Sequence, residues 1–161
     1  MAIEKVKTYF KSFGIEDKIK EFDVSSATVE LAAQALNCEP QRIAKSLSFK
    51  LPEKVILIVT AGDTKVDNSK FKSFFGTKAK MLTAEETKSL IGHAVGGVCP
   101  FAINDGVDVY LDNSIKRFPT VFPACGSSNS AIELTSDELE KFASPISWID
   151  VCKTKESATV E

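Results

Sequence analysis

The run "KVILIVTAG", Lys54 to Gly62, limits the fold more than any other stretch of the chain. Val55 to Val59 are aliphatic without a break, whereas a strand with one wet face alternates apolar and polar residues. A near-continuous run of this kind marks a central strand with both faces covered. The preceding stretch, "RIAKSLSFKL", does alternate: Ile43, Leu47, Phe49 and Leu51 lie on one side, Ala44, Ser46, Ser48 and Lys50 on the other. Lys45 falls on the apolar side. An ammonium in apolar surroundings is paired, or lowered in pKa, or reaching out of the core. Two readings of Lys45 follow, a packed stem whose amine snorkels to water and an amine lining a pocket, ready to hold an anion or a carbonyl oxygen.

The rest of the chain supplies helices and further strands. Residues 2–13 read as an amphipathic helix stopped by Gly14, followed by a short strand over 19–24 and a helix over 27–37. Pro52 ends the Lys45 strand. "VDNSKFKSFFG" reads as a short helix closed by Gly76. Thr83 with Glu86, and Thr135 with Glu138, have the spacing of capping boxes that open helices over "AEETKSLI" and "SDELEKFA". Strands are expected at 98–103, 107–111, 120–125 and 130–134, with "ISWIDV" as the last. Helices and strands alternate irregularly, so the expected class is α+β with a curved, mixed sheet. Residues 1–152 are expected to form a single domain, and 153–161 a polar, frayed tail.

Composition narrows the function classes. Twenty basic residues against 22 acidic ones give a net charge of −2, which argues against a general DNA- or RNA-coating role. Any nucleic-acid ligand must be held by a local patch or a specific group. No run of about 18 apolar residues suggests a membrane span, and the amino terminus has no apolar core of signal-peptide length. The cysteines (Cys38, Cys99, Cys125, Cys152) are scattered, and there is one histidine, His93. A cytoplasmic protein with reduced thiols, and without a metal site or cofactor, is the expectation.

Two more segments could carry chemistry. "GHAVGGVCPF", Gly92 to Phe101, has three glycines in six residues, enough to bring backbone amides close to a ligand. It also suits a plain helix-to-strand turn. His93 could act there as a base, or be a hydrogen-bonded structural residue, and Cys99 could pair with it as a nucleophile or be inert packing. "CGSSNSAIEL", Cys125 to Leu134, offers hydroxyls and an amide at the entry to an apolar strand, as recognition of a small polar group or a turn would require.

In the order "RIAKSL", "VILIVTAGDTKVDNSKF", "GHAVGGVCPF", "CGSSNSAIELTSDELEKF", these segments resemble the YbaK/ProX family, free-standing relatives of the editing domain of bacterial prolyl-tRNA synthetases. The resemblance spans approximately residues 22–142. It implies a mixed, partly closed β-barrel-like sheet flanked by helices, and hydrolysis of mischarged aminoacyl-tRNA in trans. The family's essential lysine maps onto Lys45, its hydroxyl neighbour onto Ser46, the glycine pair of the pocket loop onto Gly96 and Gly97, and an aromatic of the first strand onto Phe22. His93, Ser127 and Ser128 complete the expected substrate-binding set. Where YbaK carries an aspartate just before "IEL", this chain has Ala131, so that carboxylate's contacts are missing. The implied partner is aminoacyl-tRNA, with a synthetase as a further one, and neither membrane nor DNA. Rival readings are a non-catalytic module that binds aminoacyl-tRNA, a nucleotide or a synthetase, and a thiol hydrolase using Cys99 and His93.

Overall fold

A computed structural model describes residues 2–155. Its centre is a mixed five-stranded sheet in the order β6-β2-β3-β5-β8, formed by β2 (Ile43–Lys50), β3 (Val55–Ala61), β5 (Val107–Asp112), β6 (Phe122–Pro123) and β8 (Ser147–Ile149). β2 and β3 are antiparallel, and the other pairs are parallel. Two two-stranded ribbons flank it: β1 (Lys20–Glu21) with β7 (Ser130–Ala131), and β4 (Thr64–Val66) with β9 (Cys152–Thr154). Around them stand α1 (Ala2–Lys11), α2 (Val29–Leu36), α3 (Asn68–Phe75), the single turn α4 (Ala84–Glu86) and α5 (Ser136–Ala143). The expected α+β class with a mixed sheet is present, and the sheet does not close into a barrel.

β3 is covered on both faces. Leu57 and Val59 enter the larger core with Val6 and Phe10 of α1 and Leu139 and Phe142 of α5. Ile56 and Ile58 enter a second core with Phe49, Phe71 of α3 and Tyr110. All four β3 side chains are fully buried. At about 1.5–3 kcal/mol for each such side chain, this strand anchors everything on either side of it.

Helix ends follow their caps. Thr28 accepts a hydrogen bond from Leu31 N–H at the start of α2, and Asn37 ends it in the left-handed region. Asp67 caps α3, and Gly76 stops it at φ 76°. Both expected capping boxes form. After α4 the helix widens into a π turn over Thr87–Ile91 that ends at Gly92.

Several expected strands are shorter or missing. The strand expected over 19–24 is two residues, β1. The segment 98–103 is not a strand: Ala102 lies at φ 54°, which breaks extended backbone, and Phe101 is instead driven into the core with its ring centroid 4.7 Å from that of Phe10. The strands expected at 120–125 and 130–134 contract to β6 and β7 plus an isolated bridge between Val121 and Leu134. The expected polar tail begins as strand β9, held by β4; residues 156–161 of that tail lie outside the described residues. No helix among the described residues is long and apolar enough to cross a membrane.

Candidate functional site

β2 has a gap in its outer edge. β6 pairs only with Ile43 and Ala44. Further along, Leu82 N–H donates to Ser48 C=O (3.2 Å) and Lys50 N–H to Lys80 C=O (2.8 Å), through a bridge at Phe49 and Met81. Backbone groups alternate sides along a strand, so Ser46 also points its N–H and C=O away from β3, between these two attachments. No other element among the described residues pairs with either group.

A cavity of about 320 Å³ surrounds this open edge. Its walls include Val29 and Ala32 of α2, Leu47 of β2, Leu82, Val98 and Phe122, so it is mainly apolar. Lys45 is the one charged residue that lines it, among the described residues. The Ser46 hydroxyl, in the same wall, is buried without a hydrogen-bond partner. Ser48 and Thr87 line it as well, with their hydroxyl oxygens 3.3 Å apart.

Lys45 is half-buried, and its Nζ donates to the carbonyl of Thr64. Burial pushes its pKa from the usual lysine range down to about 8, and the nearby charge of Lys155 pushes the same way. The Thr64 carbonyl is itself fixed. Thr64 Oγ1 donates to Ala61 C=O (2.8 Å) and lies 2.7 Å from Thr60 Oγ1, which lies 3.0 Å from Ser114 Oγ. Buried Asp112 closes the network by accepting from the N–H groups of Ser114 and Val151, both at 3.0 Å. Sequence reasoning did not single out Thr60, Thr64 or Asp112. The available signal was Thr60 interrupting the aliphatic run directly across from Lys45.

The structure gathers only part of the expected set in the cavity wall. Lys45, Ser46 and Gly96 line it; Phe22, His93, Gly97, Ser127 and Ser128 do not. Gly96, at φ 98°, sits against Ala27, whose Cβ would lie 3.2 Å from a Cβ added at this glycine. Gly97 supports the wall from behind. A Cβ there would meet the backbone of Ser127 and Gly126 at 2.6–2.8 Å, so two loops cross in contact. Ser127 Oγ is engaged with Asn129 Oδ1 (2.9 Å) and Ser130 Oγ (2.7 Å). Phe22 N–H donates to Asn129 C=O and its own carbonyl accepts from the Asn129 side-chain amide, and Ser128 is exposed while its carbonyl accepts from Ser26 N–H. Ser130 and Ala131 do line the cavity, Ala131 placing a methyl there.

His93 is fully buried, away from the cavity. Its Nε2 donates to Phe101 C=O at 2.8 Å, its Nδ1 has no partner, and burial lowers its pKa. Cys99 Sγ does approach His93 Nε2 (3.5 Å), but the thiol is inaccessible, and burial pushes its pKa up to about 12. This pair braces the glycine loop. It is not an activated nucleophile, which needs a thiolate and access to substrate.

Residues 23–142 match the family model described as the aminoacyl-tRNA editing domain. The chain is 53% identical over 154 residues to the uncharacterized protein YwhH of Bacillus subtilis, covering 95% of this chain and 98% of that one. It is also 28% identical over 138 residues (84% of this chain) to a proline–tRNA ligase of Bacillus cytotoxicus, of which it spans only 24%. Among solved structures, a candidate trans-editing enzyme for prolyl tRNA synthetase superposes with a TM-score of 0.85 at 28% identity, covering 94% of this chain and 97% of that one. The hypothetical protein APE2540 superposes at 0.82 with 25% identity, over 92% and 99% of the two chains.

Proposed function

We propose that this chain, which belongs to the aminoacyl-tRNA editing domain family, hydrolyses the ester joining a misplaced amino acid to the 3′ end of a tRNA. The observation that carries this reading is a mainly apolar cavity whose one charged lining residue, Lys45, stands beside an unpartnered hydroxyl and an open strand edge. The relatives whose names refer to prolyl-tRNA ligation and trans-editing support the same reading.

An aminoacyl ester is already activated, so the protein's task is to position it and to stabilise the developing oxyanion. A lysine ammonium has three N–H donors. Thr64 C=O takes one from Lys45, which leaves two for a terminal phosphate or carbonyl oxygen of the substrate. Ser46 N–H and its hydroxyl donate to the ester, Ser46 C=O accepts from the substrate's ammonium, and the loop at Gly96 orients the aminoacyl group. Water, or a ribose hydroxyl ahead of water, adds to the ester carbonyl. The bond to the ribose oxygen breaks, that oxygen takes one proton of the water, the other passes to solvent, and the amino acid leaves as a carboxylate.

The cavity wall favours small, uncharged amino acids, because it holds no carboxylate among the described residues and presents Ala131 where YbaK has an aspartate. The reaction takes place in the cytoplasm, with aminoacyl-tRNA as partner and a synthetase as a further one. Deacylation of alanyl-, cysteinyl-, seryl- and threonyl-tRNAs by wild type and Lys45→Ala tests it. Loss of turnover in the variant is expected, and equal turnover in both would remove Lys45 from the mechanism.

One observation favours a second reading, a binding module without turnover. Neither a carboxylate nor an imidazole lines the cavity among the described residues, so the one candidate base there is Lys45, which with a pKa of about 8 stays mostly protonated at neutral pH. Tight binding of aminoacyl-tRNA with no release of amino acid would establish this alternative.

A further inference from the structure

The β4–β9 ribbon has two chemically different faces. Thr64 and Cys152 point inward and are buried, with Val66 and Thr154 half-buried beside them, whereas Lys65 and Lys153 point outward and are exposed; Lys155, exposed just past the end of β9, reaches close to Lys45. Lys65 and Lys153 are directly opposite each other in the register. Lys155 N–H donates to Asp63 C=O at 2.8 Å, and Asp67 N–H to Val151 C=O at 2.8 Å, so hydrogen-bonded pairs fall on the odd-numbered residues. Lys65 and Lys153 therefore form a hydrogen-bonded pair, with Cα atoms about 5.5 Å apart. Like charges directly opposite in a ribbon are destabilising.

The neighbouring acids make their hydrogen bonds elsewhere, although the Lys70 N–H that holds the Asp67 carboxyl's pKa down is helped by the nearby charge of Lys153. Asp63 is held by the Arg117 guanidinium at 2.6 and 3.1 Å. Asp67 caps α3 by accepting from Lys70 N–H (3.1 Å), and Asp150 takes the Lys70 ammonium (3.0 Å). Among the described residues, none of the ion pairs involves Lys65, Lys153 or Lys155. Protection of a free strand edge, a common use of lysine, does not require two of them face to face.

The ribbon also joins the cavity. The Thr64 carbonyl that receives Lys45 Nζ belongs to β4, one residue before Lys65. We propose that the outward face of this ribbon, Lys65 with Lys153, continued by Lys155 beside Lys45, is the track that holds the phosphodiester backbone of the RNA whose 3′ end enters the cavity at Lys45. The proposal rests on the aminoacyl-tRNA reading above for the identity of the RNA. It also accounts for RNA binding by a chain of net charge −2, because a local row of cations releases counterions from phosphates whatever the overall balance.

The test uses the full chain and unacylated tRNA, so that binding is read without hydrolysis. Lys153→Glu and Lys65→Glu are compared with wild type in affinity across a salt series and in thermal melting. Each reversal is expected to lower affinity about tenfold at low salt and to reduce the slope of log affinity against log salt by about 1. The melting temperature should hold or rise, because a like-charge pair becomes an opposite one. Unchanged affinity and slope would overturn the proposal, as would unchanged tRNA affinity with lost binding to a synthetase, which would put a protein surface on the ribbon. If wild type hydrolyses no aminoacyl ester, the hydrolytic reading fails, while the affinity and slope still decide this one.

Discussion

Replacing Lys45 with methionine keeps the unbranched stem and removes the ammonium, which isolates the energetic cost of charge at the cavity wall. Burial and Lys155 lower the lysine's pKa from 10.5 to about 8. At about 1.4 kcal/mol per pH unit, that amounts to an upper bound of about 3 kcal/mol, and partial access to water reduces it to about 1–2 kcal/mol. The sign follows from proton counting. Between pH 8 and 10.5 the unfolded chain keeps the proton that the folded protein has lost, so wild-type stability rises with pH through this window. Below pH 8 the folded protein carries the full penalty. The variant avoids it but loses the bond to Thr64 C=O, worth about 0.5–1.5 kcal/mol. Lys45→Met should therefore match or slightly exceed wild-type stability at pH 7. Wild type should gain about 1–2 kcal/mol on the variant by pH 10.5. Urea melts of both proteins from pH 7 to 10.5 measure the difference, in which the titrations of lysines remote from Lys45 cancel and that of Lys155, its close neighbour, does not. A difference that stays constant with pH, or a wild type that loses ground as pH rises, would refute the claim that this ammonium is held at a cost.

Ser46→Ala removes an unpartnered buried hydroxyl. Its melting temperature should be unchanged or higher, while kcat/KM for the aminoacyl ester falls about tenfold, the worth of one hydrogen bond of about 1.5 kcal/mol. Gly97→Ala should cost about 1–3 kcal/mol in a denaturant melt, because the added methyl has only loop backbone to push against. Cys99 should resist iodoacetamide in the native protein, and Cys99→Ala should retain hydrolysis once its stability loss is allowed for; rapid native labelling, or abolished turnover in a folded variant, would return the thiol to consideration.

Local chemistry made much of the frame legible. The aliphatic run from Val55 to Val59 identified the central strand, and Thr83 and Thr135 marked two helix starts, because caps and periodicity act over a few residues. The fault at Lys45 was visible for the same reason. The cavity itself was not, since the open edge at Ser46 depends on where β6 stops and where Met81 attaches, and those contacts come from segments far apart in the chain. The glycine loop misled in part. His93 and Gly97 looked like ligand groups by position, but the left-handed turn at Gly96 sends the loop inward, burying the imidazole and pressing Gly97 onto Ser127. The ribbon of β4 and β9 went unseen because three residues on each side carry too little periodicity, and only their pairing reveals the facing lysines.

The most direct measurement of the central claim is amino acid release from seryl-, alanyl-, threonyl- and cysteinyl-tRNA by the wild-type protein at neutral pH, counted beside a buffer control. Release of at least one small amino acid well above the buffer rate, with intact tRNA as the other product, is the predicted result. Saturable binding of these tRNAs with release no faster than in buffer would contradict it and leave a binding module in its place.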